Sequence, residues 1–135
     1  MNIKSIDEFF NQKLDNSEYQ YNSYYDGFRV ETDQGSIILA ISSSQDCCEN
    51  FGTVSSADDF ADFIGSTILE IKTTGDLITK SVEFDVNYME EGGYEFITLE
   101  TTKGTLQFVV YNMHNGYYGH AVVIEILNSI DYTSL

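Results

Sequence analysis

The feature that most constrains the fold of this chain is a period of two that begins near residue 28. Phe28, Val30 and Thr32 alternate with Arg29, Glu31 and Asp33, Gln34-Gly35 supplies a turn, and the chain returns through Ser36 to Ile41. Alternation interrupted by a glycine turn is the pattern of a β-hairpin with one buried face. Further strands are predicted over Thr67 to Thr73, about Lys80 to Met89, Tyr94 to Thr101, Thr105 to Asn112 and His120 to Leu127. Glu90-Glu91-Gly92-Gly93 and Lys103-Gly104 supply turns between them. The chain contains no proline, and hairpin connections favour a largely antiparallel sheet, here of about six or seven strands.

Two segments carry a helical period instead. Ser5 and Glu8 have the spacing of a capping box, and Ile6, Phe9, Phe10 and Leu14 follow on one face, which predicts a helix from Ser5 to Leu14. Ser56 with Asp59 predicts a second cap. Its helix would turn Ala57, Phe60, Ala61 and Ile64 to the core and Asp58, Asp59 and Asp62 to solvent, and Gly65 would end it. The expected fold is therefore α+β, one domain over residues 1–135, with two short helices covering one face of the sheet. Between them, Asp15 to Asp26 is a polar connection with four tyrosines, at 19, 21, 24 and 25.

Charge narrows the partners. Asp plus Glu number 22 against 6 Lys plus Arg, a net charge of -16, which repels phosphate and argues against direct binding to nucleic acid or an anionic membrane. Eight acids and no base lie between Arg29 and Lys72, and six more between Lys80 and Lys103. A cationic macromolecule is the natural partner; the plain alternative is a solvated surface that keeps the protein soluble. No apolar stretch is long enough to span a bilayer and the first residues are not a signal peptide, so a cytoplasmic location is expected. Cys47 and Cys48 are the only cysteines and are adjacent, so they are expected to be reduced.

The sequence also contains an internal echo: Glu31-Thr32-Asp33-Gln34-Gly35-Ser36-Ile37 is similar to Glu100-Thr101-Thr102-Lys103-Gly104-Thr105-Leu106. In both copies the second strand runs into an unusual loop. If the copies are structural equivalents, the loop around Asp46 to Gly52 and the loop around His114 to His120 sit at equivalent strand ends. Asp46-Cys47-Cys48-Glu49 and Asn115-Gly116-Tyr117-Tyr118-Gly119-His120 resemble motifs of a small uncharacterised family of bacteria and their phages, a domain of unknown function. The resemblance runs from about Gly35 to Ile126 and implies a shared fold, but transfers no mechanism.

Three chemistries compete for those loops. Cys47 or Cys48 with His114 and His120 offers soft ligands for zinc, yet adjacent cysteines rarely hold one ion and no Cys-x-x-Cys spacing is present. A Cys nucleophile with His120, oriented by Asp46 or Glu49, is opposed by the negative surroundings, which raise a thiol pKa. The third reading is structural: cysteine as a small hydrophobe, glycines permitting a tight loop, and Tyr117, Tyr118 and the histidines capping sheet ends. It is favoured, so neither metal, cofactor nor catalytic residue is expected.

The carboxylates offer a different use. On the strand from Ser81 to Met89, Glu83 and Asp85 share the face opposite Val82, Phe84 and Val86, about 6.6 Å apart by strand rise. With Glu90, Glu91 and Glu95, and with Asp58, Asp59 and Asp62, they form candidate protein-binding patches that present spaced negative charge as a phosphate backbone does. The leading expectation is an acidic inhibitor, phage-encoded and directed at a CRISPR or restriction enzyme, that occupies a basic nucleic-acid-binding surface. The alternatives are an immunity protein against a nuclease toxin, and a small ligand-binding or housekeeping domain with no inhibitory role.

Overall fold

A computed structural model describes residues 1–14, 24–43, 50–73, 93–113, 121–127 and 129–134. Its strands, in chain order, are β1 (Ile3–Lys13), β2 (Tyr24–Thr32), β3 (Gly35–Ser42), β4 (Asn50–Ser55), β5 (Ile68–Thr73), β6 (Gly93–Thr101), β7 (Gly104–Met113), β8 (Ala121–Ile126) and β9 (Ser129–Ser134). They form two antiparallel sheets, in the orders β1-β2-β3-β8-β9 and β4-β7-β6-β5. Ile6, Phe28, Val30, Leu39 and Ile124 of the first sheet join Ile97, Leu99, Leu106, Phe108 and Val110 of the second in one buried cluster. Face-to-face burial of this kind is the β-sandwich arrangement.

The expected α+β fold is thus corrected to an all-β one, and no α-helix occurs among the described residues. The segment Ser5 to Lys13 belongs to strand β1, with Leu14 just beyond it, and its helix-like spacing comes from two irregularities in pairing with β2. One falls between Ile3 and Ser5, so Ile3 and Ile6 both reach the inter-sheet core. The other falls between Phe9 and Gln12, so Phe9 and Leu14 both reach a cluster on the opposite face with Tyr25, Ile38, Ala40 and Val123. A bulge inserts one residue and resets the period-two phase, and two such resets imitate a helical repeat.

The second expected helix shrinks to a 3-10 turn, Phe60–Phe63. Ser56 cannot cap it, because its backbone N–H donates to the Gln107 carbonyl and its hydroxyl accepts from the Gln107 N–H at 2.8 Å. Ser56 therefore prolongs the contact between β4 and β7. Asp59 takes the cap instead, its Oδ1 accepting from Ala61 N–H at 2.9 Å. Phe60 sets its ring 6.3 Å from Phe28 and 6.2 Å from Phe108, closing one flank of the sandwich. Gly65 follows with a φ of 82°, the glycine conformation expected where the turn stops. The strand expected at about Lys80 to Met89 lies outside the described residues, whereas β4 and β9 are additions to the expected set.

The internal echo is a structural repeat. Thr32 donates its hydroxyl to Gly35 O at 2.7 Å and accepts from Gln34 N–H at 3.1 Å; Thr101 does the same with Gly104 O and Lys103 N–H at the same distances. Ser36 donates to Glu31 and Thr105 to Glu100, both at 2.7 Å. Gly35 and Gly104 both have positive φ, 138° and 121°. The correspondence extends outward: β5 repeats the β1 irregularity between Ile68 and Glu70, and Ile68 faces Thr101 as Ile3 faces Thr32. Ser55 pairs with Phe108 as Ile124 pairs with Leu39, again 69 positions apart (55 and 124, 39 and 108).

The last strand of each repeat is exchanged. β4 joins β7 in the second sheet and β8 joins β3 in the first, so neither half has a complete sheet of its own. The halves also meet where Asn2 and Thr67 form an antiparallel bridge, with the Thr67 hydroxyl donating to Asn2 Oδ1 at 2.8 Å.

Candidate functional site

The exchange decides where the two motif loops are anchored. The first leaves β3 after Ser42 and enters β4 at Asn50, and the second leaves β7 after Met113 and enters β8 at Ala121. Asn50 is the register partner of Met113, and Ile41 is the partner of Val122. Both connections therefore cross between the sheets at one end of the sandwich, each departing beside the strand on which the other arrives. Asp46, Cys47, Cys48, Glu49, His114, Tyr117, Tyr118 and His120 themselves lie outside the described residues. Just beyond the first motif, Gly52 pairs with Tyr111, and a Cβ there would stand 2.7 Å from the Tyr111 hydroxyl. Glycine is needed at this point so that the tyrosine ring can lie across β4.

The candidate carboxylates separate into distinct environments. Asp58, Asp59 and Asp62 are exposed around the 3-10 turn. Glu83, Asp85, Glu90 and Glu91 lie outside the described residues. Glu95 does not share the environment of the exposed acids: it pairs with Val110 on the inner side of the second sheet, the side of Ile97 and Leu99. Its Oε2 is shielded from solvent and has no hydrogen-bond partner among the described residues. Burial pushes its carboxyl above the ordinary range, because the charged form loses hydration. The equivalent position in the first repeat is Asp26, whose Oδ1 accepts the Asn11 N–H at 2.7 Å.

An acid that the sequence pattern concealed completes the flank. β1 packs against the 3-10 turn, which brings the exposed Glu8 to the same side of the molecule as Asp58, Asp59 and Asp62, whereas Asp7 lies across from Arg29 on the outer face of the first sheet. Glu8 Oε1 accepts the Thr53 hydroxyl at 2.9 Å and ties the β1 and β4 edges together. Reading β1 as a helix hid this placement; an alternative reading with a bulge at Asn11, a residue tolerant of positive φ, would have exposed it. Two acids elsewhere lie beside a cation: Glu31 is 3.9 Å from Arg29 and Glu70 3.7 Å from Lys72. Glu125 is raised chiefly by burial, with Arg29 lowering it and Glu31 raising it. Among the described residues, no three His, Cys, Asp or Glu side chains form a group able to hold a metal ion. Nor is any described helix long and apolar enough to cross a membrane.

Fold and surface together define an acid-rich, internally repeated β-sandwich. The chain belongs to the family described as a domain of unknown function, DUF7448, whose model matches residues 3–124. That match takes in both repeats and both motif loops. No curated protein and no solved structure matches the chain.

Proposed function

We propose that this domain is an acidic protein inhibitor that occupies the nucleic-acid-binding surface of a basic partner, and that it is made by a phage against a bacterial defence enzyme of the CRISPR or restriction type. The observation that carries the reading is the lack of internal neutralisation. The chain has 22 carboxylates against 6 Lys and Arg, a net charge of -16, so ion pairs such as Arg29–Glu31 and Lys72–Glu70 can neutralise few of them. Glu8, Asp58, Asp59 and Asp62 are exposed on one flank and have no cationic partner among the described residues. Carboxylates fixed on a sandwich and left unpaired attract a cationic groove over a Debye length of about 10 Å at 0.1 M salt. Their spacing replaces phosphates without any sequence code.

The test begins with capture of a partner on the tagged full chain and its elution by a salt gradient. The decisive step is competition: the purified partner should lose its affinity for DNA or RNA as the domain is added, with the loss weakening as salt rises. A partner that keeps its nucleic-acid affinity while bound would end this reading.

A further inference from the structure

The end of β1 carries a feature that the sandwich does not need. Between Phe9 and Gln12 the strand has one residue more than β2 opposite, and Asn11 takes a φ of 51°. The bulge is held on both sides: Asn11 N–H donates to Asp26 at 2.7 Å, and Asn11 Oδ1 accepts the Ser43 hydroxyl at 3.1 Å. Beside it, strand alternation turns two consecutive phenylalanines to opposite sides. Phe9 is buried, 4% exposed, whereas Phe10 is 61% exposed. On the neighbouring strand, Tyr24 opposite Lys13 is 49% exposed. The repeat supplies a control for this pair, because the position equivalent to Tyr24 is Gly93 (24 and 93, the same displacement as 39 and 108). The hairpin therefore folds without an aromatic side chain there.

From this we infer that the β1–β2 rim is the docking point for an arginine side chain of a cationic protein partner, with Phe10 and Tyr24 offering ring faces and Glu8 the counter-charge. A guanidinium is weakly hydrated and planar, and stacks on an aromatic ring while its edge reaches a carboxylate. The molecule already makes one such contact on its other face, where the Arg29 guanidinium lies 5.3 Å from the centre of the Phe9 ring. A second copy of the chain is a poor occupant, since each copy carries -16. An anionic membrane is excluded on the same ground. Lys13 beside Tyr24 and Lys4 at the far end of β1 are the cations of this strand, outweighed by Glu8, Asp58, Asp59 and Asp62 along the flank.

This inference rests on the reading that the charge recruits a cationic protein, and its test separates the two. The probes are a nona-arginine and a nona-lysine peptide of equal charge, titrated into the full chain by calorimetry at low salt. The arginine peptide should bind about tenfold more tightly, from two exposed cation–π contacts of a few-fold each. Phe10→Leu with Tyr24→Ser should remove that preference and leave the lysine peptide unchanged, with the melting temperature showing that the fold is intact. In ¹⁵N spectra the largest arginine-specific shifts should fall on residues 7–13 and 24–26. Equal affinity for the two peptides, or a preference that survives in the double variant, overturns the aromatic rim while charge recruitment stands. Failure of both peptides to bind overturns both.

Discussion

The hairpin of β2 and β3 and the hairpin of β6 and β7 build one turn with matching side chains, yet the strands around them diverge. Thr32 and Thr101, Glu31 and Glu100, and Gly35 and Gly104 make the same hydrogen bonds or take the same backbone conformation. These are the positions that form the hairpin. Where the copies differ, the first half has a bulge next to the exposed Phe10, an exposed Tyr24 where the second half has Gly93, and a satisfied Asp26 where the second has the shielded Glu95. After the exchanged strands, one half closes with the 3-10 turn and the other with β9. A repeat thus serves as its own control: shared residues report on folding, and unshared ones are free to serve binding.

The largest effect that could break the comparison comes from its centre. Leu39 and Phe108 are equivalent and each is 1% exposed, and Phe108 packs with Phe28 at 4.6 Å. Leu39→Ala should cost about 2–5 kcal/mol and Phe108→Ala about 3–5 kcal/mol. Because β4 and β8 are exchanged, both variants should lower the midpoint of one shared denaturant transition, followed by fluorescence and by circular dichroism together. Two separate transitions in either variant would mean that the halves fold independently and that strand exchange does not couple them.

A smaller effect sharpens the comparison at the turns. Thr32→Val and Thr101→Val each delete one hydroxyl that both donates and accepts. Each should cost about 1–2 kcal/mol, and the two costs should agree within about 0.5 kcal/mol and add in the double variant. Unequal costs would show that the turn geometry is shared but its energetic role is not.

Much of this framework was legible in the residues. Gln34-Gly35 and Lys103-Gly104 sit between alternating runs, so turn chemistry and period agree, and both hairpins follow from local signals. The repeat was visible in the same seven-residue windows. The helices were misread because the information is not local. In β1 two bulges shift the phase of alternation, and both faces of the strand are buried, so Ile6 and Phe9 look alike though they enter different clusters. At Ser56 the apparent cap is consumed by Gln107, 51 positions away. β4 opens behind a motif loop with Phe51-Gly52 and offers little alternation. Of the candidate site, the acids at 58, 59 and 62 were legible as exposed, but their union with Glu8 depends on packing of β1 against the turn. Glu95 shares the period-two phase of Ile97 and Leu99, which marked its inward placement, but its charge grouped it with the exposed acids.

Glu95 supplies the smallest effect and the sharpest test of the asymmetry. Its carboxyl is raised from a reference of 4.5 by burial, so the folded state holds its proton to higher pH than the unfolded chain does. Between those two values the native state binds more protons, and stability must fall as pH rises through the window. The stabilisation is present below the unfolded value and lost above the folded one. Glu95→Gln removes the ionisation while keeping the shape, so the variant should melt higher than the parent at pH 7, by roughly a few degrees at most. The two melting curves should draw together as pH falls below 4.5, where the parent carboxyl is also neutral. If the parent is instead the more stable protein at pH 7, the carboxylate is satisfied in solution, and Glu95 matches Asp26 after all. The divergence between the halves would then be confined to the Phe10 and Tyr24 rim and to the closing segments.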